Sequence, residues 1–379
     1  MDFALTDDQR AIEAAAIAFA AAEFAPHSAE WDEGEVFPVD AMRAAAALGF
    51  AAIVIDPELG GAGLGRLEAA IIFEALAHGD VSTAAFLSIH NMASWMIDRF
   101  GEDALRRRFL PKLASMELIA SYCLTEPGSG SDAAALRTTA RREGEHYVLD
   151  GAKAFISGAG VSDLYVVMVR TGEAGPRGVS ALVVEKETPG LSFGAPERKM
   201  GWRSQPTAIV NFDRARVPVA NRIGAEGDGF RFAMSGLDGG RLNIAACSLG
   251  GASLALAAAK SHLETRHQFG RPLKEFQALQ FRLADMATEL EAARLMVRRA
   301  AAALDGGAPD ATKLCAMAKR FATDAGFEVA NQALQLHGGY GYLKDYPLER
   351  IVRDLRVHQI LEGTNEIMRV IIAREMFRQ

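Results

Sequence analysis

Apolar residues recur every three or four positions over the first third of the chain, the spacing of helices that bury one face. Ile12, Ala16, Phe19 and Ala20 form the first such stripe, and Thr6-Asp7-Asp8 precedes it as a cap. The helical texture holds to about residue 118, with Gly60-Gly61-Ala62-Gly63-Leu64-Gly65 as a loop between helices. Near residue 119 the pattern changes. Tyr147-Val148-Leu149, Leu164 to Val169, Ala181 to Val184 and Ala208 to Phe212 are short apolar runs, broken at Asp150-Gly151, Gly172, Pro176 and Pro189-Gly190. Such runs predict the strands of a barrel or sandwich. From about 224 the helical spacing returns. Leu283, Met286, Leu290, Ala293, Val297, Ala300 and Leu304 share one stripe that Asp305-Gly306-Gly307 ends. A second helix is expected from Ala311 to Leu336. A last one, from Thr364-Asn365, is expected to carry Ile367, Val370, Ile371 and Phe377 inward. The pattern predicts a mostly α protein with a β insert: a helical domain at 1–118, a β-domain at 119–223 and a helical bundle at 224–379. Clefts are expected at the junctions.

Composition narrows the function classes. Half of the 379 residues are apolar and 23% are charged, which argues against disorder. A net charge of −7 offers no basic face for nucleic acid, so none is expected as a partner. Cys123, Cys247 and Cys315 form no CxxC pair and read as buried, reduced thiols. No His or Cys stands at ligand spacing, and no metal centre is expected. Met1-Asp2-Phe3-Ala4-Leu5 has no basic leader pattern, and no run looks like a membrane span. The glycine loop fails as a nicotinamide fingerprint, because the third glycine of GxGxxG would fall on Arg66.

Five segments are candidates for chemistry. In Tyr122-Cys123-Leu124-Thr125-Glu126-Pro127-Gly128-Ser129-Gly130-Ser131, glycines and hydroxyls suit a polar ring edge or a phosphate, or simply a turn. Phe155-Ile156-Ser157 puts an aromatic and a hydroxyl two apart, on one face of a strand. Arg266-His267-Gln268-Phe269-Gly270-Arg271 is basic and suits phosphate as well as a solvated helix end. Gln335-Leu336-His337-Gly338-Gly339 allows close approach of a backbone or ligand. Leu361-Glu362-Gly363-Thr364-Asn365 places a carboxylate before a helix N-terminus, as a cap or as a base.

Together, YCLTEPGSGSD, RHQFGRPL, QLHGGYGY and LEGTNE resemble the acyl-CoA dehydrogenase family in order and spacing, over essentially the whole chain. The resemblance implies a helical domain, a β-domain and a C-terminal four-helix bundle. It implies FAD between them and a homotetramer built as a dimer of dimers, with electrons passed to an electron-transfer flavoprotein. On this basis Tyr122, Cys123, Leu124, Thr125, Gly130, Ser131, Phe155, Ile156, Ser157, Thr364, Asn365 and Glu366 correspond to flavin-side contacts. Phe155 stands where many relatives have Trp. Arg266, Phe269, Phe276, Gln277, Gln335, Leu336, His337, Gly338 and Gly339 correspond to the pyrophosphate and adenine end, partly across subunits. Ser131, Asp238, Gly239, Gly240, Arg241, Leu361, Gly363 and Arg374 correspond to acyl-CoA contacts.

Glu362 matches the family's catalytic carboxylate. The other position some relatives use for the base is Gly240 here, which cannot ionise. SIHNMASWMIDRFG, KAFISGAG, KMGWRSQPT and LHGGYGYLKDYP look closest to members that convert isobutyryl-CoA to methacrylyl-CoA. Leu361 stands where short- and medium-chain members often have Tyr, which leaves room for an α-branch. Alternatives are a 2-methylbutyryl-CoA or butyryl-CoA dehydrogenase, or a non-catalytic acyl-CoA or flavin binder. The expected location is a bacterial cytoplasm, or the mitochondrial matrix for a processed eukaryotic chain.

Overall fold

The computed structural model describes residues 4–377. Helices α1 (Asp7–Phe19), α2 (Ser28–Gly34), α3 (Val39–Ala47), α4 (Arg66–Gly79), α5 (Val81–Phe100) and α6 (Asp103–Ala114) come first. Thr6 caps α1 through a reciprocal pair with Gln9. Strands β1 (Ala120–Cys123), β2 (Thr139–Glu143), β3 (His146–Ser157), β4 (Leu164–Arg170), β5 (Val179–Glu185), β6 (Leu191–Phe193), β7 (Thr207–Pro218) and β8 (Arg222–Ile223) form one sheet in the order β6-β7-β3-β2-β4-β5-β8, with β1 parallel to β4. Then come α7 (Gly229–Thr265), the hairpin β9 (His267–Gln268) and β10 (Arg271–Pro272), α8 (Gln277–Asp305), α9 (Ala311–Leu336), α10 (Leu348–His358) and α11 (Asn365–Met376).

The β4 run is apolar without alternation because both of its faces are covered. Tyr165, Val167 and Val169 join Leu182, Val210 and Phe212 on one side. Val166 and Met168 pack on the other side with Met96, Phe109, Leu113 and Phe232 of the helices. α7 is the central rod. By length and composition it could cross a membrane, which the sequence reading did not anticipate, yet most of it is buried inside the protein. Its glycines admit neighbouring backbone: a Cβ on Gly250 would stand 2.2 Å from the Glu74 carbonyl oxygen.

Three expectations need correction, and one helix is new. Asp150-Gly151 is no break between strands. β3 runs on through Gly151, at φ +143, while its register with β7 shifts there, the extra residue lying on β7 between Phe212 and Ala215. A second irregularity between Lys153 and Ile156 leaves Phe155 at φ +57, so simple alternation does not place Phe155 and Ser157 on one face. Val370 and Phe377 point outward, because α11 turns Met368 and Ile371 to the core and ends at Met376. Helix α10 was not expected, although Leu348, Ile351 and Leu355 carry its buried stripe.

Glu126 and Lys153 form a buried pair at 2.7 Å, and Glu126 also accepts from the backbone of Arg137 at 2.6 Å and Thr138 at 2.9 Å. Burial works to raise the Glu126 carboxyl, but the ammonium and these donors outweigh it and hold it low. Lys153→Met strands that carboxylate, and is expected to destabilise the fold by about 3–5 kcal/mol. The denaturant midpoint reads the loss.

Candidate functional site

The turn between α10 and α11 is built around two left-handed residues, Glu362 at φ +54 and Gly363 at φ +93. A non-glycine residue holds such a conformation only where its surroundings over-determine it. They do so here. Leu361 N–H donates to Val357 O at 3.0 Å, and Asn365 N–H closes the loop on Gln359 O at 2.9 Å. Thr364 caps α11. The two carbonyls at the apex each receive a cation: Arg241 Nε donates to Glu362 O at 3.2 Å and Lys319 Nζ to Gly363 O at 2.9 Å. Arg241 is itself fixed by Asp238 at 2.8 Å, whose second oxygen takes the Thr312 hydroxyl at 2.7 Å.

The Glu362 side chain is held through its backbone alone. Its Oε2 is buried without a hydrogen-bond partner, and so is the hydroxyl of Tyr122. Burial pushes the Glu362 carboxyl up to about 7, against the pull of Arg241 and Lys319. The Tyr122 phenol is raised by burial and by the Glu362 charge. The absence of a side chain at position 240 leaves room for the carboxylate, because a Cβ there would stand 2.4 Å from Glu362 Oε2. The result is a free carboxylate oxygen poised near neutrality, able to take a proton from a bound molecule. Where it does so, kcat/KM is expected to rise with pH through about 7, the range into which burial has moved the group. A pH profile of substrate-driven turnover checks this.

The other sequence candidates fall into two groups. Tyr122 to Ser131 and Phe155 to Ser157 lie together: Ala154 N–H donates to Thr125 O at 2.8 Å, and the Ser121 hydroxyl to Ser157 O at 2.6 Å. Phe155 is 69% exposed, and added Cβ atoms on Gly128 and Gly130 would meet nothing within 4 Å. The second group gathers where α7 and α9 end. Arg266 lies over the Tyr340 ring at 5.4 Å, Phe269 meets Phe276 at 6.1 Å, and His262 stacks on His337 at 4.3 Å. Phe269 and Gly270, both left-handed, form the hairpin tip. Gln277 starts α8, and Gln335 and Leu336 end α9. Glu366 lies in the first turn of α11. Arg374 is near the end of that helix, where it pairs with Glu375 at 3.3 Å. Lys319 was missed by sequence reasoning. Its signal was a lysine on the buried stripe of α9, among Cys315, Ala318, Ala322 and Thr323.

Family models match in series: the acyl-CoA dehydrogenase N-terminal domain at residues 6–117, the middle domain at 121–215 and the C-terminal domain at 227–377. The chain belongs to the acyl-CoA dehydrogenase family. The mitochondrial isobutyryl-CoA dehydrogenase of Bos taurus is 59% identical over 99% of this chain and 90% of its own. The butyryl-CoA dehydrogenase of Megasphaera elsdenii superposes with a TM-score of 0.96 at 37% identity, covering 100% of both chains. A chain from structural work on the electron transferring flavoprotein of Acidaminococcus fermentans superposes at 0.98 with 41% identity, again over 100% of both. Acyl-CoA dehydrogenases are FAD-dependent oxidoreductases. The residues present fit that cofactor and a thioester: two buried polar atoms stand unpartnered on Glu362 and Tyr122, beside the loop fastened to the exposed Phe155 strand.

Proposed function

We propose that this acyl-CoA dehydrogenase converts isobutyryl-CoA to methacrylyl-CoA, with Glu362 as the base. The observation that carries the chemistry is the buried Glu362 Oε2 that has no hydrogen-bond partner, in a setting where burial pushes the carboxyl up to about 7. The acyl group is supported by the 59% identity to the bovine isobutyryl-CoA enzyme, against 37% to the butyryl-CoA enzyme. Glu362 Oε2 takes the α-proton. The Glu362 backbone N–H donates to the thioester carbonyl and stabilises the negative charge that develops there. Tyr122 to Ser131, Phe155 to Ser157 and Thr364 to Glu366 would hold the ring of FAD, which would supply the acceptor for the β-hydrogen and its electron pair as the double bond forms. Asp238 to Arg241, Leu361, Gly363 and Arg374 serve the acyl-CoA. Closing the site over the acyl chain expels water, which keeps the carboxyl basic.

The same reading assigns domains 1–118, 119–223 and 224–379, an electron-transfer flavoprotein as acceptor, and a bacterial cytoplasm or mitochondrial matrix as location. It also assigns a homotetramer. Arg241 and Arg266 are separated along α7 by about 38 Å of helix rise, more than one extended dinucleotide spans. The Arg266 group therefore suits the FAD of a neighbouring subunit.

A panel of acyl-CoA esters, scored anaerobically by the rate of flavin bleaching, tests the substrate. Isobutyryl-CoA is expected to exceed butyryl-CoA by about tenfold or more in kcat/KM. A butyryl-CoA rate far above the isobutyryl-CoA rate overturns the assignment. A yellow protein that no ester bleaches overturns the enzyme reading.

A further inference from the structure

Resting on Glu362 as the proton acceptor, we propose that Lys319 is a positioning residue for the reaction: its ammonium clamps the Gly363 carbonyl and the Asn365 side chain from α9, and so fixes the left-handed turn that aims the Glu362 carboxylate.

Lys319 is 0% exposed. Its Nζ donates to Gly363 O and to Asn365 Oδ1, each at 2.9 Å. Both acceptors are neutral. An ammonium buried against neutral oxygens is costly, and an apolar side chain would serve packing better. The arrangement gains its meaning from where the acceptors lie, on the residue after the carboxylate and on the start of α11. Asn365 is gripped in turn by Thr323 Oγ1 at 2.9 Å and Asp324 Oδ1 at 2.7 Å. One turn of α9 thus holds the far side of the loop, while Arg241 holds the near side from α7. Glu362 needs this external hold, because its own side chain makes no bond at Oε2 that would keep the turn left-handed.

The ammonium also acts through its charge. The ionisable groups around the pair are Arg241 and Cys247 of α7, Tyr122 of β1, Asp324 of α9, His358 of α10 and Glu366 of α11. Burial pulls Lys319 down to about 8, and the Glu362 charge works to hold it up. Lys319 in turn opposes the burial that lifts Glu362. Without the ammonium the Glu362 carboxyl is harder to ionise, and the acid limb of the rate moves to higher pH.

The test compares Lys319→Met and Lys319→Gln with native protein, all FAD-loaded, by anaerobic stopped-flow reduction with the best ester of the panel. Lys319→Met removes charge and donor; Lys319→Gln removes charge and keeps a donor. The limiting rate is expected to fall about a hundredfold in Lys319→Met. It should fall less in Lys319→Gln, with little change in substrate affinity and with the acid limb displaced upward in both. Folded, FAD-loaded variants with the native rate and the native limb overturn the proposal. So does failure of both variants to fold, which assigns Lys319 to the scaffold. Glu362→Gln in parallel separates the two readings. If it is inert while the Lys319 variants behave as native, only the clamp has failed. If it reduces flavin normally, the base assignment itself has failed.

Discussion

Glu362→Gln is expected to yield a folded, yellow protein that substrate does not bleach. The amide keeps the shape and volume of the side chain, and the turn that carries it is held by Arg241 and Lys319 through backbone carbonyls that the substitution does not touch. FAD content and the melting transition should therefore stay near native. What is lost is the carboxylate's capacity to take a proton at the apex. General-base catalysis contributes roughly 10²–10⁴-fold to such steps, and with no second carboxylate at position 240 the loss should lie at the upper end. Stopped-flow flavin absorbance after anaerobic mixing reads it directly. Bleaching at the native rate would remove Glu362 from the mechanism.

Gly240→Ala is expected to cost activity without costing the fold. The added methyl would stand 2.4 Å from Glu362 Oε2 and 2.9 Å from Met92 Sδ, far closer than carbon tolerates. Both are the ends of flexible side chains, so the clash is relieved by moving them, and stability changes little. The carboxylate, however, is the proposed base. A displacement of about 1 Å is worth about a hundredfold in rate. The measurement is the limiting rate of flavin reduction beside the thermal midpoint. An unaltered rate would mean that the carboxylate has room to spare.

Much of the scaffold was legible in the residues, where one physical rule acted alone. The α8 stripe runs uninterrupted and Asp305-Gly306-Gly307 stops it, as found. The β4 run is too short for an ordinary helix and too apolar for a surface strand, and it is a strand covered on both faces. The misreadings arose where two rules competed. Asp150-Gly151 has turn chemistry, but the pairing of β3 with β7 on either side of it prevails, and the strand runs through the glycine opposite a bulge in β7. Val370 and Phe377 are apolar enough for a core, but the rotation of α11 is set by Met368 and Ile371. Within the site, Glu362 was legible as a motif. Its environment was not, because Lys319, Arg241 and Tyr122 come from distant parts of the chain and meet only in the folded protein. Tyr122 and Arg241 were named through the family resemblance, whereas Lys319 was missed, although a lysine on an apolar stripe is a local signal.

The two-sided burial of β4 and β5 has a consequence for how the chain can be divided. Val166, Met168, Ala181 and Val183 form an apolar outer wall, and α5, α6 and the start of α7 lie against it. A fragment cut at the change of texture would present that slab to water. It would stack on itself or seek another partner rather than stand alone. The strands are thus the middle storey of one building, raised only when the floors above and below are in place.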